Sequence, residues 1–137
     1  MIISRTPLRI SFAGGGTDIG SFYRKEEGAV TSTAINRYMY ITVNKKFDSA
    51  IRLSYSKTEN VEKVDEIQHP LVREALKLTG ITKGIEITSM ADVPAQTGLG
   101  SSSAFTVGLL NALYAYKGEF KPPKLLAEQA CHIEIEL

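Results

Sequence analysis

Between Pro94 and Ala104 the chain reads Pro-Ala-Gln-Thr-Gly-Leu-Gly-Ser-Ser-Ser-Ala and runs straight into an apolar segment that continues to Leu113. Two glycines and three serines at the mouth of an apolar helix leave few choices of local structure. Glycine admits positive φ and lets main-chain N–H groups approach a ligand closely. A helix starting just behind it leaves its first N–H donors unpaired and its positive dipole end exposed. Together these make a phosphate cradle, and a serine hydroxyl can add an oxygen ligand for a magnesium ion. The plainer reading is a serine-capped helix behind a flexible loop, but three consecutive serines exceed what a cap needs. The run is neither of the commoner nucleotide motifs. A P-loop requires lysine where Ser101 stands, and the dinucleotide fingerprint requires Gly or Ala where Ser103 stands.

The remaining chain frames this loop with alternating strands and helices. Ile2 to Ala13 reads as a strand ending at the turn Gly14-Gly15-Gly16. From Ala29 to Phe47, Met39, Ile41 and Val43 alternate with Tyr38, Tyr40 and Thr42, so a second strand is expected with the tyrosines in sheet packing. Ile51 to Ser56 is expected as its antiparallel neighbour through Asp48-Ser49, and Lys57 to Gln68 as a polar connector. A helix should start near Pro70 with Leu71, Ala75 and Leu78 on its stripe and Gly80 as its stop. Ile85 and Ile87 mark a short strand before the glycine-rich run. The helix after it, about 101–116, is apolar nearly all round and should be central and buried. A last helix from Pro122-Pro123 has Leu126, Ala130, Ile133 and Leu137 on one stripe, with Cys131 expected in the core. That stripe runs to Leu137 without a stop signal, which leads us to expect a piece of a longer protein.

Composition narrows the functional classes. Hydrophobic residues are 43% and charged residues 23%, a globular balance, and no apolar run is long enough to span a bilayer. One cysteine excludes an internal disulfide and is compatible with a cytoplasmic location. Two histidines and one cysteine are too few for a zinc site of the usual four-ligand kind. Residues 1–57 carry a net +5 and residues 58–137 a net −4, so the first half could attract a small anion. No basic run interleaved with aromatics points to nucleic acid. The sequence is silent on oligomeric state and leaves a homodimer open.

The run Pro94 to Ala104 resembles the central ATP-binding motif of the GHMP kinases, the family of galacto-, homoserine, mevalonate and phosphomevalonate kinases. Pro7-Leu8-Arg9-Ile10-Ser11-Phe12-Ala13-Gly14-Gly15-Gly16-Thr17-Asp18 resembles the first motif of that family, in the right order upstream. Its form is most similar to the branch acting on D-glycero-D-manno-heptose 7-phosphate. Galactokinases carry Glu-His where this chain has Gly15-Gly16.

The resemblance implies an α+β fold like the second domain of ribosomal protein S5, a mixed sheet with helices on one side. It makes residues 1–137 the N-terminal ATP-binding domain, incomplete, with a C-terminal domain absent. It implies Mg-ATP-dependent phosphorylation of a sugar or sugar-phosphate hydroxyl. By resemblance Pro94, Gly98, Leu99, Gly100, Ser101, Ser102 and Ser103 hold the nucleotide, and Ser102 and Glu134 share Mg²⁺. Gly15, Gly16, Thr17 and Asp18 face the sugar, and Arg9 stabilises charge on the transferring phosphoryl group. The family's catalytic aspartate lies downstream of the Glu134 position, beyond this chain. A kinase for another sugar such as galactose or fucose, or a truncated module that binds nucleotide or sugar without turnover, are the alternatives.

Overall fold

A computed structural model describes residues 1–135. The expected stripe position Leu137 lies outside them. Five strands, β1 (Ile2–Ala13), β2 (Thr31–Lys45), β3 (Ile51–Ser54), β4 (Thr58–Val61) and β5 (Ile85–Ala91), form one sheet in the order β1-β2-β5-β3-β4. The helices are α1 (Gly20–Tyr23), α2 (Pro70–Thr79), α3 (Ser101–Tyr116) and α4 (Pro123–Ile135). Only the β3–β5 pair is parallel among the described strands, and the chain between them carries β4 and α2. This is the expected α+β mixed sheet.

Alternation decides which face is covered. Register sets Ser4 opposite Ile41, Val43 opposite Ile87, and Leu53 opposite Ile87 on its other side. These side chains are buried, and α3 packs across β1 and β2 with α2 and α4 beside it. Each fully buried Leu or Ile contributes about 1.5–3 kcal/mol. On the opposite face Arg5 lies over the Tyr38 ring at 4.6 Å, and Tyr38 and Tyr40 sit 6.1 Å apart.

Two expectations are corrected. β3 is not the neighbour of β2, because β5 lies between them. Gly84 bridges the two ends of the β2–β3 connection: its carbonyl accepts from Lys46 N (2.9 Å) and its amide donates to the Ser49 carbonyl (3.0 Å). Ile85 and Ile87, both buried, then enter the middle of the sheet. The segment expected as a connector contains β4, paired antiparallel to β3, and a 3-10 turn at Val64–Glu66. In Thr58-Glu59-Asn60-Val61 the β-branched ends favour a strand and the two polar residues between them do not, so pairing with β3 at the sheet edge decides the outcome.

α2 and α3 begin and end where expected and α4 begins there, with differences in facing, whereas the short α1 was not expected. α2 starts at Pro70 and stops at Gly80, whose φ of 72° allows Ile81 N to donate back to the Leu76 carbonyl at 3.1 Å. Its buried residues are Val72, Ala75, Leu76 and Thr79, whereas Leu78 is exposed. α4 buries Leu126, Ala130 and Ile133 as expected. Cys131 is exposed, not in the core, because it follows Ala130 by about 100° around the helix. None of the described helices is long and apolar enough to cross a membrane.

α3 lies unusually close to β1. Gly108, in its middle, is buried, and its carbonyl accepts a 2.7 Å hydrogen bond from the Ser4 hydroxyl. A Cβ at Gly108 would stand 2.6 Å from Thr6 Oγ1 and 3.3 Å from Ser4 Oγ. On an exposed helix Gly→Ala would add about 1 kcal/mol of stability. Here Gly108→Ala is expected to lose about 1–3 kcal/mol through overpacking. Adding Thr6→Ala should recover much of that loss in a urea-denaturation double-mutant cycle. Additive losses would show that the two sites are not in contact.

Candidate functional site

The glycine-rich loop spans residues 92–100, between β5 and α3. Asp92 anchors its start on β2, with its amide donating to the Tyr38 carbonyl (3.0 Å) and its Oδ2 accepting from Tyr38 N (2.8 Å). Three loop residues adopt positive φ: Gln96 (64°), Gly98 (73°) and Gly100 (70°). Gln96 is the only non-glycine residue to do so among those described. Such strain is concentrated at ligand-binding segments, and composition alone gave no signal for it.

Gly100 is the N-cap of α3, and no side chain caps that end. The three serines are therefore not caps. Ser101, Ser102 and Ser103 form the first helical turn, where backbone N–H donors face outward and the dipole favours an anion. Pro94 and Gly98 are exposed at the loop's surface, and Leu99 is half-buried against the core.

β1 delivers Arg9 to this point. Proline has no N–H for the ladder, and the pairing with β2 is irregular between Pro7 and Arg9. The Arg9 amide donates instead to the Leu99 carbonyl at 3.0 Å. The side chain crosses Gly100, where a Cβ would stand 3.1 Å from Arg9 Cγ, and Nη1 donates to Ser11 Oγ. The guanidinium is thus held between the helix start and a cleft of about 290 Å³ lined by Arg9, Gly15, Thr17, Asp18, Tyr23 and Gly28 to Val30.

The glycine turn builds that cleft. Gly14, at φ 81°, has no room for a side chain, since a Cβ would fall 1.9 Å from the Ala29 carbonyl oxygen. The Thr17 hydroxyl donates to the Gly14 carbonyl (2.7 Å), with the Ala29 carbonyl at 3.2 Å. Thr17 thus ties the loop together from a position that also lines the cleft. Gly16 is exposed and open on its Cα side. Tyr23 and residues 28–30 escaped sequence reading because they reach the cleft only through this turn.

On the other side of the helix start, Glu134 comes from α4. Its Oε2 accepts from Ser102 Oγ at 3.2 Å and lies 3.4 Å from Ser103 Oγ. Asp18, Ser103, Cys131 and Glu134 share a second cleft of about 330 Å³. Asp18 thus borders both clefts. Among the described residues no group of three or more His, Cys, Asp or Glu side chains is placed to hold a metal ion by itself. A cation here would take hydroxyl and carboxylate oxygens from the protein and others from phosphate and water. That donor set suits magnesium.

A third cleft, of about 440 Å³, flanks the loop on its far side. It is lined by Met39, His69, Leu71, Ala91, Val93, Ala95, Gln96, Ser101, Ser102 and Phe105. His69 stacks on Phe105 (centroids 5.0 Å, 20°) and meets the Tyr55 ring edge-on at 4.8 Å. Glu59 closes the network, accepting from the Tyr55 hydroxyl and the Gln68 amide, each at 2.7 Å. Burial pushes the His69 imidazole below its ordinary 6.5, against a smaller opposing pull from Glu59. Burial alone would raise the Glu59 carboxyl, but the Gln68 amide and Tyr55 hydroxyl hold it below its ordinary 4.5.

These shifts give two separable acid limbs. The unfolded chain protonates His69 first, so stability falls as pH drops below about 6.5 toward the lower folded value. The Glu59 contribution is full above about 4.5 and is lost as pH falls through its lower folded value. In thermal unfolding across pH, His69→Phe should flatten the limb that sets in below about pH 6.5 and leave the loss below about 4.5. An unchanged upper limb would exclude His69 as its source.

The chain has relatives among known proteins. Residues 66–137, just over half of the chain, match the family described as GHMP kinases N terminal domain. The chain is 32% identical over 143 residues to the D-glycero-alpha-D-manno-heptose 7-phosphate kinase of Campylobacter jejuni, covering 93% of this chain and 42% of that protein. It is 27% identical over 152 residues to the L-fucokinase/L-fucose-1-P guanylyltransferase of Bacteroides fragilis, covering 86% of this chain and 16% of that one. In fold it matches the crystal structure of a D-glycero-D-manno-heptose 1-phosphate kinase from Bacteroides thetaiotaomicron, with a TM-score of 0.84 and 23% identity. That match covers 98% of this chain and 48% of that one. The chain thus spans less than half the length of these relatives, and it belongs to the GHMP kinase family.

Proposed function

We propose that residues 1–137 are the N-terminal, nucleotide-binding part of an ATP-dependent kinase that phosphorylates a hydroxyl of a sugar or sugar phosphate, with heptose 7-phosphate the leading substrate. The observation that carries this reading is the meeting of Ser102 and Ser103 with Glu134 Oε2 at an uncapped helix N-terminus. The free N–H donors of α3 suit the phosphates of a nucleotide. Pro94, Gly98, Leu99, Gly100 and Ser101 shape the loop around them, and the apolar third cleft suits the base. Ser102 and Glu134 would hold Mg²⁺, which when bound offsets phosphate charge.

Asp18 and the open Gly15-Gly16 turn support an acceptor site in the first cleft, roomy enough for a substrate larger than a hexose. Asp18 would accept from sugar hydroxyls. Arg9, fixed between that cleft and the helix start, lies where a guanidinium could stabilise charge on a phosphoryl group passing from one to the other. The similarity to a heptose 7-phosphate kinase supports the substrate class. A cytoplasmic location suits such substrates.

Ser102→Ala and Glu134→Gln should each weaken Mg-dependent ATP binding by about tenfold, the equivalent of about 1.4 kcal/mol. Calorimetric titration with and without Mg²⁺ reads this directly, and unchanged Mg-dependence would remove the metal assignment. A coupled assay of the intact protein on a panel of sugars and sugar phosphates tests turnover. ATP binding with no consumption on any of them would favour a non-catalytic binding module.

A further inference from the structure

The third cleft is unevenly polar. Of its polar side chains, Gln96 belongs to the loop, and Ser101 and Ser102 belong to the helix start. His69, at the N-cap of α2, is the one polar side chain of the lining that comes from elsewhere. A molecule with its phosphates at the helix start and a flat base in the cleft would meet apolar carbon around the base, with His69 as its side-chain hydrogen-bonding partner. Nδ1 is shut off from solvent and has no partner. Nε2 is the ring nitrogen left open to a ligand.

The ring is held from two sides. Phe105 stacks on it from α3, Tyr55 abuts it edge-on, and Glu59 fixes Tyr55 through a 2.7 Å hydrogen bond. A rigid, uncharged imidazole can make one directional hydrogen bond without ordering a flexible side chain, which favours discrimination between bases.

We propose that His69 is the specificity-determining residue for the nucleotide base, through one hydrogen bond from its open ring nitrogen to the base edge. This rests on the nucleotide reading above, and the probes separate the two. ATP tests base and phosphates together, whereas inorganic tripolyphosphate tests the phosphate cradle alone. In Mg²⁺-containing calorimetric titrations of the intact protein, His69→Phe keeps a flat ring against Phe105 and removes both nitrogens. It should weaken ATP by about tenfold while tripolyphosphate stays within about twofold. His69→Gln, which restores a polar group of similar reach, should recover ATP affinity to within about threefold of wild type.

Unchanged ATP affinity in His69→Phe would overturn the assignment. So would a parallel loss of tripolyphosphate, which would make His69 a structural support of the loop, or a failure of His69→Gln to recover. Wild-type protein that binds neither probe would overturn the nucleotide reading, and this assignment with it.

Discussion

The close approach of α3 to β1 is the contact on which the site depends. Gly108 lacks the side chain that would hold the helix off the sheet, and the Ser4 hydroxyl ties the helix backbone to the strand at 2.7 Å. With α3 fixed there, its first turn reaches the stretch of β1 where pairing with β2 is irregular. The Arg9 amide is free to bind the Leu99 carbonyl, and the Arg9 side chain can lie across Gly100. A glycine in mid-helix lowers intrinsic stability by about 1 kcal/mol. Here it permits contact between the strand that carries the first motif and the helix that carries the second.

From this contact the helix start acquires three neighbours. Arg9 and the Gly14 turn lie on one side, Glu134 of α4 on another, and the apolar cleft with His69 beyond the loop. Asp18 borders two of these spaces. An anion at the first turn of α3 would therefore have a cation-binding edge, a base-sized apolar space and an acceptor cleft within reach. The arrangement follows from packing three elements, β1, α3 and α4, around one helix terminus.

Much of this was legible in the chain because its cause is local. Ser101 to Tyr116 is apolar on nearly every side, so α3 had to be central, and Pro70 and Gly80 bracketed α2 by their own backbone preferences. The turn into an uncapped helix start was legible because glycines and serines at that point are a local signal. What escaped reading was set by distant partners. Thr58–Val61 is a strand because β3 offers it an edge, and β5 separates β2 from β3 by pairing along both of them. Gln96 takes a left-handed conformation that its identity does not favour. Tyr23, Gly28 and His69 reach their clefts through turns and stacking that no short motif encodes. Cys131 sits one residue off the buried stripe of α4, a difference of facing that composition does not resolve.

In the proposed function an adenine nucleotide binds with its phosphates on the first turn of α3, facing Glu134. Backbone amide NMR during titration of the intact protein with Mg²⁺ and a non-hydrolysable ATP analogue tests it most directly. The largest shifts should fall on the amides of Gly98 to Ser103, with smaller ones around His69 and Glu134. Saturable binding whose shifts bypass the α3 start would contradict the account.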